Sequence, residues 1–193
     1  LHMAWKVSLN LCDHLSGVAT KTRAIVDAAH SANPACEVLT TRKSMPGVKD
    51  LLTKAVTCGG AFPHRLGASE TVLVFDHHIT FMGGFEAFLD ALPALRGRCV
   101  EKKLFVEAGP DEARRLAKAG VDGIQLDKMP VDDLAALVPE LRVIDPHLTL
   151  IAAGGINLQN AAAYAATGVD GLATTAPFTA KPIDMSVRMK RAE

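Results

Sequence analysis

The chain has 193 residues, of which 49% are hydrophobic and 22% are charged, with 21 basic and 21 acidic side chains. This length and apolar content suit one domain with a full core, and the zero net charge argues against nucleic acid or an anionic membrane as a partner. No apolar run approaches the ~20 residues that a membrane helix needs, so we expect no membrane insertion, a cytoplasmic location and small-molecule ligands.

The first 32 residues predict one long helix. From Trp5 to Ala32 the apolar residues recur near a 3.6-residue period, beginning with Val7 and Leu11. Ser16-Gly17 is a candidate kink within it. The helical pattern starts with neither a cap nor a polar lead-in, which predicts that the chain is cut from a longer one; the alternative is a natural short form.

Short β-type segments then alternate with helical segments. The predicted strands are Cys36–Thr41, Thr71–Asp76, Lys103–Glu107, Gly123–Asp127, Leu148–Ala152 and Gly171–Thr175. The predicted helices span residues 47–58, 84–96, 110–119, 130–140 and 157–167. Pro110 and Pro130 fit first-turn positions, Asn157 fits an N-cap, and Gly120 and Gly168 fit the position after a helix ends.

An internal repeat connects these elements. Residues 118–124 (KAGVDGI) recur as residues 166–172 (ATGVDGL), and each copy reads as a helix end, a tight turn and a buried strand. Repeated βα units imply parallel strands. We therefore predict an α/β fold, an incomplete TIM-like (β/α) barrel of about six parallel strands preceded by a long helix. The alternative is an open doubly wound sheet, which a GxGxxG turn would favour, and the first predicted strand is followed by no such turn.

Loops after the strands of such a barrel form its active face, and a glycine pair lies in one of them. Gly154 and Gly155 lead from a predicted strand into a predicted helix, where free N–H groups and the helix dipole favour phosphate. The alternative is that the pair only makes a tight turn.

Four candidate cations follow or lie between the first two predicted strands. They are Arg42, Lys43, His64 and Arg65. Guanidinium groups bind carboxylate or phosphate in a bidentate manner, so these residues predict an anionic substrate. The alternative is solvated surface charge.

Glu107 and Asp127 end neighbouring predicted strands. Paired carboxylates can hold Mg²⁺, bind sugar hydroxyls or stabilise a developing cation, and structural capping is the alternative.

His77 and His78 do not predict a metal site, because adjacent side chains at a strand end point in opposite directions. The cysteines likewise show no metal-ligand spacing and predict free thiols in a reducing compartment: Cys12, Cys36, Cys58 and Cys99.

Six segments in order along the chain resemble the quinolinate phosphoribosyltransferase (nicotinate-nucleotide pyrophosphorylase) family. They are residues 15–20 (LSGVAT), 41–47 (TRKSMPG), 64–67 (HRLG), 126–129 (LDKM), 154–156 (GGI) and 167–170 (TGVD). The resemblance implies an incomplete barrel at residues 35–193, with residues 1–34 leading from an N-terminal α/β sandwich domain that this chain lacks. It also implies a homodimer or higher even oligomer in which a partner's N-terminal domain completes the site.

The family's reaction joins quinolinate to phosphoribosyl pyrophosphate with Mg²⁺, giving nicotinate mononucleotide, pyrophosphate and carbon dioxide, a step of NAD biosynthesis. By resemblance, the candidate catalytic residues are Glu107, Asp127 and Lys43, with Glu107 and Asp127 also as Mg²⁺ ligands. The candidate substrate-binding residues are Lys6, Arg42, Lys43, His64, Arg65 and Phe75. The candidate phosphate-binding residues are Gly154, Gly155, Thr175 and Ala176.

The chain departs from the family pattern in ways that put quinolinate in doubt as the acceptor. Phe75 stands where the family carries a substrate-contacting lysine, and Lys6 stands where an arginine is expected. These departures, with residues 101–103 (EKK) and 174–177 (TTAP), are most similar to the ModD subgroup, which is named for molybdenum transport. A non-catalytic molybdate- or oxyanion-binding protein is therefore the alternative to a phosphoribosyltransferase.

Overall fold

The computed structural model describes residues 2–67 and 70–190. Its strands are β1 (Glu37–Thr40), β2 (Phe62–Pro63), β3 (Val72–Val74), β4 (Leu104–Glu107), β5 (Gly123–Asp127), β6 (Thr149–Ala153) and β7 (Gly171–Thr174). Its helices are α1 (His2–Ala32), α2 (Lys49–Cys58), α3 (Asp76–Phe81), α4 (Phe85–Arg98), α5 (Pro110–Ala119), α6 (Val131–Ile144) and α7 (Ala161–Ala165), followed by a 3₁₀ turn at Ala176–Thr179. Every helix within residues 2–67 and 70–190 is either too short or too polar to span a membrane.

The strand order confirms the incomplete barrel. All paired strands are parallel, and they follow the order β2-β1-β7-β6-β5-β4-β3. This is the cyclic order of a barrel with β1 beside β7, opened between β2 and β3. A doubly wound sheet would instead reverse its order at a switch point. The alternative architecture is therefore wrong.

Apolar side chains fill both sides of the sheet. The larger cluster lies between the sheet and the helices and includes Phe88, Leu116 and Leu134. The smaller cluster lies on the inner face, which alternate strand residues line: Leu73, Phe105, Ile151, Ala153 and Ala173. Small residues on β6 and β7 leave room above this inner cluster.

The sequence repeat corresponds to two equivalent joints. Asp122 accepts a hydrogen bond from the N–H of Leu104 at 2.7 Å, and Asp170 accepts one from Leu150 at the same distance. Arg142 pairs with Asp170 at 2.7 Å, in the same relation as Arg96 to Asp122 at 3.6 Å. Each repeat aspartate therefore ties the turn before its own strand to the start of the preceding strand.

Two local elements differ from the sequence expectation. The strand β2 pairs with β1 and raises the number of strands from the expected six to seven. It was not predicted, because its two residues, Phe62 and Pro63, are too few to show a period. The segment at 76–78 (DHH), expected at the end of a strand, instead begins α3.

Two further expectations concern single residues. The helix α1 is continuous through Ser16-Gly17, and Gly17 allows the close approach of the Lys181 carbonyl, which would lie 2.2 Å from an added Cβ. The N-cap of α7 is Asn160 rather than Asn157. Asn157 forms a turn ahead of the helix, in which its N–H donates to Asn160 Oδ1 at 2.8 Å.

Candidate functional site

A cavity of about 860 Å³ opens at the carboxyl ends of the strands. It gathers polar residues that follow β1, β2, β4, β5, β6 and β7 onto one surface. Ten of the candidate residues line it: Arg42, Lys43, His64, Arg65, Phe75, Glu107, Asp127, Gly154, Gly155 and Thr175. Parallel strands place all their carboxyl ends on the same edge, so residues far apart in sequence meet there.

Arg65 and Arg42 form the cationic side of the cavity. Arg65 has a left-handed backbone at φ 69°, and within the described chain its buried Nε has no hydrogen-bond partner. Burial lowers the pKa of Arg65, the nearby positive charge of Arg42 lowers it further, and Glu70 opposes the shift. Two neighbouring guanidinium groups with an unmatched buried donor are the arrangement that an anionic ligand would complete.

His64 is neutral at physiological pH. Its backbone N–H donates to the carbonyl of Thr40 at 2.7 Å, which ties the loop after β2 to β1. Burial, followed by the charges of Arg65 and Arg42, lowers the pKa of His64 to about 4. The imidazole can therefore donate or accept a hydrogen bond but does not add a charge to the cationic side.

We expect His64 to make the fold sensitive to acid. Its pKa is lower in the folded chain than the ordinary 6.5, so the unfolded chain binds a proton first as the pH falls from 6.5 towards 4. Stability should then fall by up to about 3 kcal/mol across this window and not change further from this group below it. Urea unfolding at pH 7 and pH 4.5 should show a smaller loss for His64→Asn than for the unchanged chain. Equal losses of stability in the variant and in the unchanged chain would contradict the lowered pKa of His64.

Glu107 and Asp127 form the acidic side, on the adjacent strands β4 and β5. Glu107 is half-buried and accepts a hydrogen bond from Gln125 Nε2 at 2.6 Å. Burial raises the pKa of Glu107 most strongly, the hydrogen bond from Gln125 lowers it, and Asp127 raises it. Lys128 and Lys43 also face Glu107 and lower its pKa. One oxygen of Glu107 is thus held, and its charge is coupled to that of Asp127.

The glycine pair lines the cavity, but not at a helix N-terminus. Gly154 and Gly155 have φ values of 87° and 73°, which L-residues rarely adopt. The helix α7 begins only at Ala161 and has five residues, so the expected helix dipole behind the pair is wrong. A bend and turn at residues 154–160 separate the pair from the helix, and the asparagines at 157 and 160 hold that turn.

Phe75 lines the inner side of the cavity, next to the apolar cluster of Leu73, Ala153 and Ala173. Its ring stacks on that of His77, with centroids 5.5 Å apart and planes inclined by 10°. His78 Nδ1 accepts a hydrogen bond from the N–H of Phe75 at 3.0 Å. Both histidines therefore make structural contacts. The expectation that they point in opposite directions at a strand end does not apply, because they lie in the first turn of α3.

Two candidate residues lie outside the lining. Lys6 is near the start of α1, with its ammonium 4.7 Å from the Trp5 ring centroid. Ala176 begins the 3₁₀ turn, and its N–H donates to Thr174 Oγ1 at 3.0 Å.

The cavity is also lined by residues that the sequence did not predict for the site, among them Lys49, Gln125, Lys128 and Thr174. Gln125 was detectable as a polar residue on the inward face of a strand, two residues before Asp127.

Metal binding would rest on few protein ligands. Among the residues that the structure describes, no group of three or more His, Cys, Asp or Glu side chains could hold a metal ion. Two carboxylates on neighbouring strands nonetheless provide the oxygen ligands that Mg²⁺ prefers when a bound phosphate supplies the others.

The similar proteins fall into two groups by name, the ModD proteins and the nicotinate-nucleotide pyrophosphorylases. The chain is 45% identical over 159 residues to the "Putative pyrophosphorylase ModD" of Rhodobacter capsulatus, covering 82% of this chain and 61% of that protein. It is 35% identical to the protein of the same name in Pasteurella multocida, covering 99% and 68%. It is 37% identical to the "Nicotinate-nucleotide pyrophosphorylase [carboxylating]" of Mycobacterium leprae, covering 90% and 60%. The chain thus spans roughly two thirds or less of these relatives.

Solved structures share the fold. NadC from Streptococcus pyogenes matches with a TM-score of 0.83 at 27% identity, over 95% of this chain and 63% of that one. The nicotinate-nucleotide pyrophosphorylase from Francisella tularensis matches with a TM-score of 0.81 at 31% identity, over 92% and 61%. The profile of the family "Quinolinate phosphoribosyl transferase, C-terminal domain" matches residues 18–188. The chain therefore belongs to the quinolinate phosphoribosyl transferase C-terminal domain family.

Proposed function

We propose that this chain is the barrel domain of a phosphoribosyltransferase of the quinolinate type, which uses phosphoribosyl pyrophosphate, Mg²⁺ and an aromatic carboxylate acceptor. One observation carries the proposal. A single cavity has basic side chains after β1 and β2 on one side and the carboxylates of Glu107 and Asp127 on the other. A reaction that transfers a sugar between anionic molecules needs both kinds of charge.

The charges act on different parts of the reaction. As the C1–O bond of the ribose breaks, its electron pair leaves with pyrophosphate and a ring nitrogen of the acceptor forms the new bond to C1. Positive charge develops on the ribose ring during this exchange, and nearby carboxylates stabilise it. Glu107 is held by Gln125 at 2.6 Å, so it can face this centre without rearranging. Arg42 and Arg65 bind the carboxylate of the acceptor, and their mutual repulsion in the free protein is relieved when the anion binds.

Glu107 and Asp127 are also the residues that would hold Mg²⁺. The ion commonly takes one or two carboxylates, several waters and substrate phosphates, and the pair fits that donor set. When bound, Mg²⁺ neutralises the charge of the pyrophosphate leaving group.

The acceptor side is more apolar than a pocket for a pyridine dicarboxylate requires. Phe75 and the inner cluster offer a flat apolar wall for an aromatic ring. The cationic residues at the rim, Arg42 and Arg65, then bind a carboxylate on the outer edge of the ring. The acceptor is therefore an aromatic carboxylate, and quinolinate is one member of the class to be tested. The proposal includes a homodimer whose partner subunit completes the site.

Thermal unfolding tests the proposal directly. Phosphoribosyl pyrophosphate with Mg²⁺, at about 100 times its dissociation constant, should stabilise the folded chain by about 2.7 kcal/mol and raise Tm by several degrees. EDTA and the variant Asp127→Asn should both remove the part of the shift that depends on Mg²⁺ and leave the weaker binding of the metal-free ligand, and ribose 5-phosphate serves as the control ligand. No shift at millimolar ligand would contradict the proposal.

Turnover identifies the acceptor. Pyrophosphate release should be measured with phosphoribosyl pyrophosphate and a panel of pyridine carboxylates, with benzene carboxylates, which have no ring nitrogen, as controls. Release that depends on one acceptor supports the transferase. Tight binding of molybdate over sulfate in calorimetry, with no release on any acceptor, would favour the oxyanion-binding alternative instead.

A further inference from the structure

Lys128 has an unusual backbone at the edge of the cavity. Among the described residues, two that are not glycine have a left-handed backbone, Arg65 at φ 69° and Lys128 at φ 54°. Both are cations, and both line the same cavity. This conformation is unfavourable for residues with a side chain, and where it persists it often serves the function of a site.

The surroundings of Lys128 hold this conformation. Its N–H donates to the carbonyl of Ala153 at 2.8 Å, which ties the end of β5 to the end of β6. Its side chain passes directly over Gly154, where an added Cβ would lie 2.5 Å from Lys128 Cγ. The backbone therefore directs the aliphatic part of Lys128 across the glycine turn.

The ammonium group remains available for a ligand. Lys128 Nζ lies 3.7 Å from Asp127 Oδ2, and its side chain is 81% exposed. An ion pair at this distance and exposure is weak. Asp127 is thus a counter-ion that a stronger anion can replace.

The glycine turn that the Lys128 side chain crosses also carries a backbone N–H donor, that of Ile156. The carbonyl of Gly155 accepts hydrogen bonds from Asn157 Nδ2 and Asn160 Nδ2, each at 3.1 Å. In a trans peptide the C=O and the following N–H point in opposite directions, so the N–H of Ile156 points away from the two asparagines. Gly155, Ile156 and Lys128 all line the cavity, and the aliphatic part of Lys128 lies against Gly154 at the start of this turn.

We propose that Lys128 is a phosphate-binding residue that, together with the Gly154-Gly155 turn, holds a phosphate group of the ligand. Binding of the phosphate draws the ammonium away from Asp127 and leaves that carboxylate free for the ribose or a divalent cation. The proposal rests on the proposed function for the identity of the ligand, a phosphorylated sugar diphosphate. It assigns the phosphate to the β5 and β6 side of the cavity, apart from Arg42 on the loop after β1.

Calorimetry with inorganic pyrophosphate in EDTA tests this assignment. Lys128→Asn should weaken binding about 10-fold, because asparagine tolerates the left-handed backbone but carries no charge. Lys128→Arg should bind within about threefold of the unchanged chain, since it keeps the charge. Asp127→Asn should strengthen binding several-fold, because it removes the competing carboxylate. Lys118→Asn, which removes an exposed lysine from the end of α5, is the control and should change nothing.

The outcomes separate the two proposals. Unchanged affinity in Lys128→Asn, an equal loss in Lys118→Asn, or no pyrophosphate binding by the unchanged chain would overturn the role of Lys128. Thermal unfolding of each variant must give the same Tm, so that a loss of affinity is not a loss of folding. A Lys128-dependent affinity without turnover on any acceptor would contradict the proposed transferase alone, and turnover unaffected by Lys128→Asn would contradict the lysine assignment alone.

Discussion

Replacing Gly154 with alanine is expected to destabilise the fold by about 2 to 4 kcal/mol and to abolish binding of phosphorylated ligands. The backbone of Gly154 has φ 87°, which costs an alanine roughly 1 kcal/mol or more. An added Cβ would also lie 2.7 Å from the backbone nitrogen of Lys128 and 2.7 Å from Asp127 Oδ1. A backbone atom cannot swing aside, so the two turns must separate, at a further cost of about 1 to 3 kcal/mol.

Gly155→Ala is the matched control for this substitution. Gly155 has a similar φ of 73°, but an added Cβ would meet no atom within 4 Å. We expect a loss of only about 1 kcal/mol, from backbone strain alone. The free energy of unfolding of both variants should be measured in urea. Equal losses would show that the close approach between the turns after β5 and β6 has no energetic weight.

Replacing Gly123 with alanine is expected to cost about 3 kcal/mol, because the inner face of the barrel has no space for the methyl group. Gly123 pairs in register with Phe105 of β4. An added Cβ would lie 2.2 Å from Cε1 of the Phe105 ring, which is 6% exposed and packed within the inner cluster. Overpacking of this kind typically costs 1 to 3 kcal/mol.

A double-mutant cycle separates this overpacking from other effects of the alanine. Phe105→Leu alone should cost about 1 to 2 kcal/mol, through lost burial of the ring. The double variant should be more stable than the sum of the single losses predicts, by at least about 1 kcal/mol, because leucine leaves room for the methyl group. Simple additivity in urea unfolding would contradict the steric explanation.

Local sequence signals predicted most of the elements. Pro110 begins α5 as its first residue, and Gly120 ends it with a left-handed φ of 78°. The bounds of α5 and β5 match the expected ones, because proline fixes φ at the first turn of the helix and glycine readily adopts the left-handed conformation that ends it. Pro130 lies one residue earlier than expected, as the N-cap of α6. Two of the errors fall on segments without such signals, the two-residue β2 and the six-residue α3. Another concerns α7, which begins at Ala161 because Asn157 forms a turn ahead of the helix.

The sequence by itself determined the parallel barrel class, the family resemblance and most of the charged residues at the strand ends. These depend on local periodicity, on a repeated turn and on the fact that parallel strands end at one edge. Only the tertiary structure decided which residues share the cavity: it left out Lys6 and Ala176 and brought in Gln125 and Lys128. It also placed Gly154 against both the backbone nitrogen and the side chain of Lys128. Such contacts join residues 26 positions apart on different strands, and no local pattern records them.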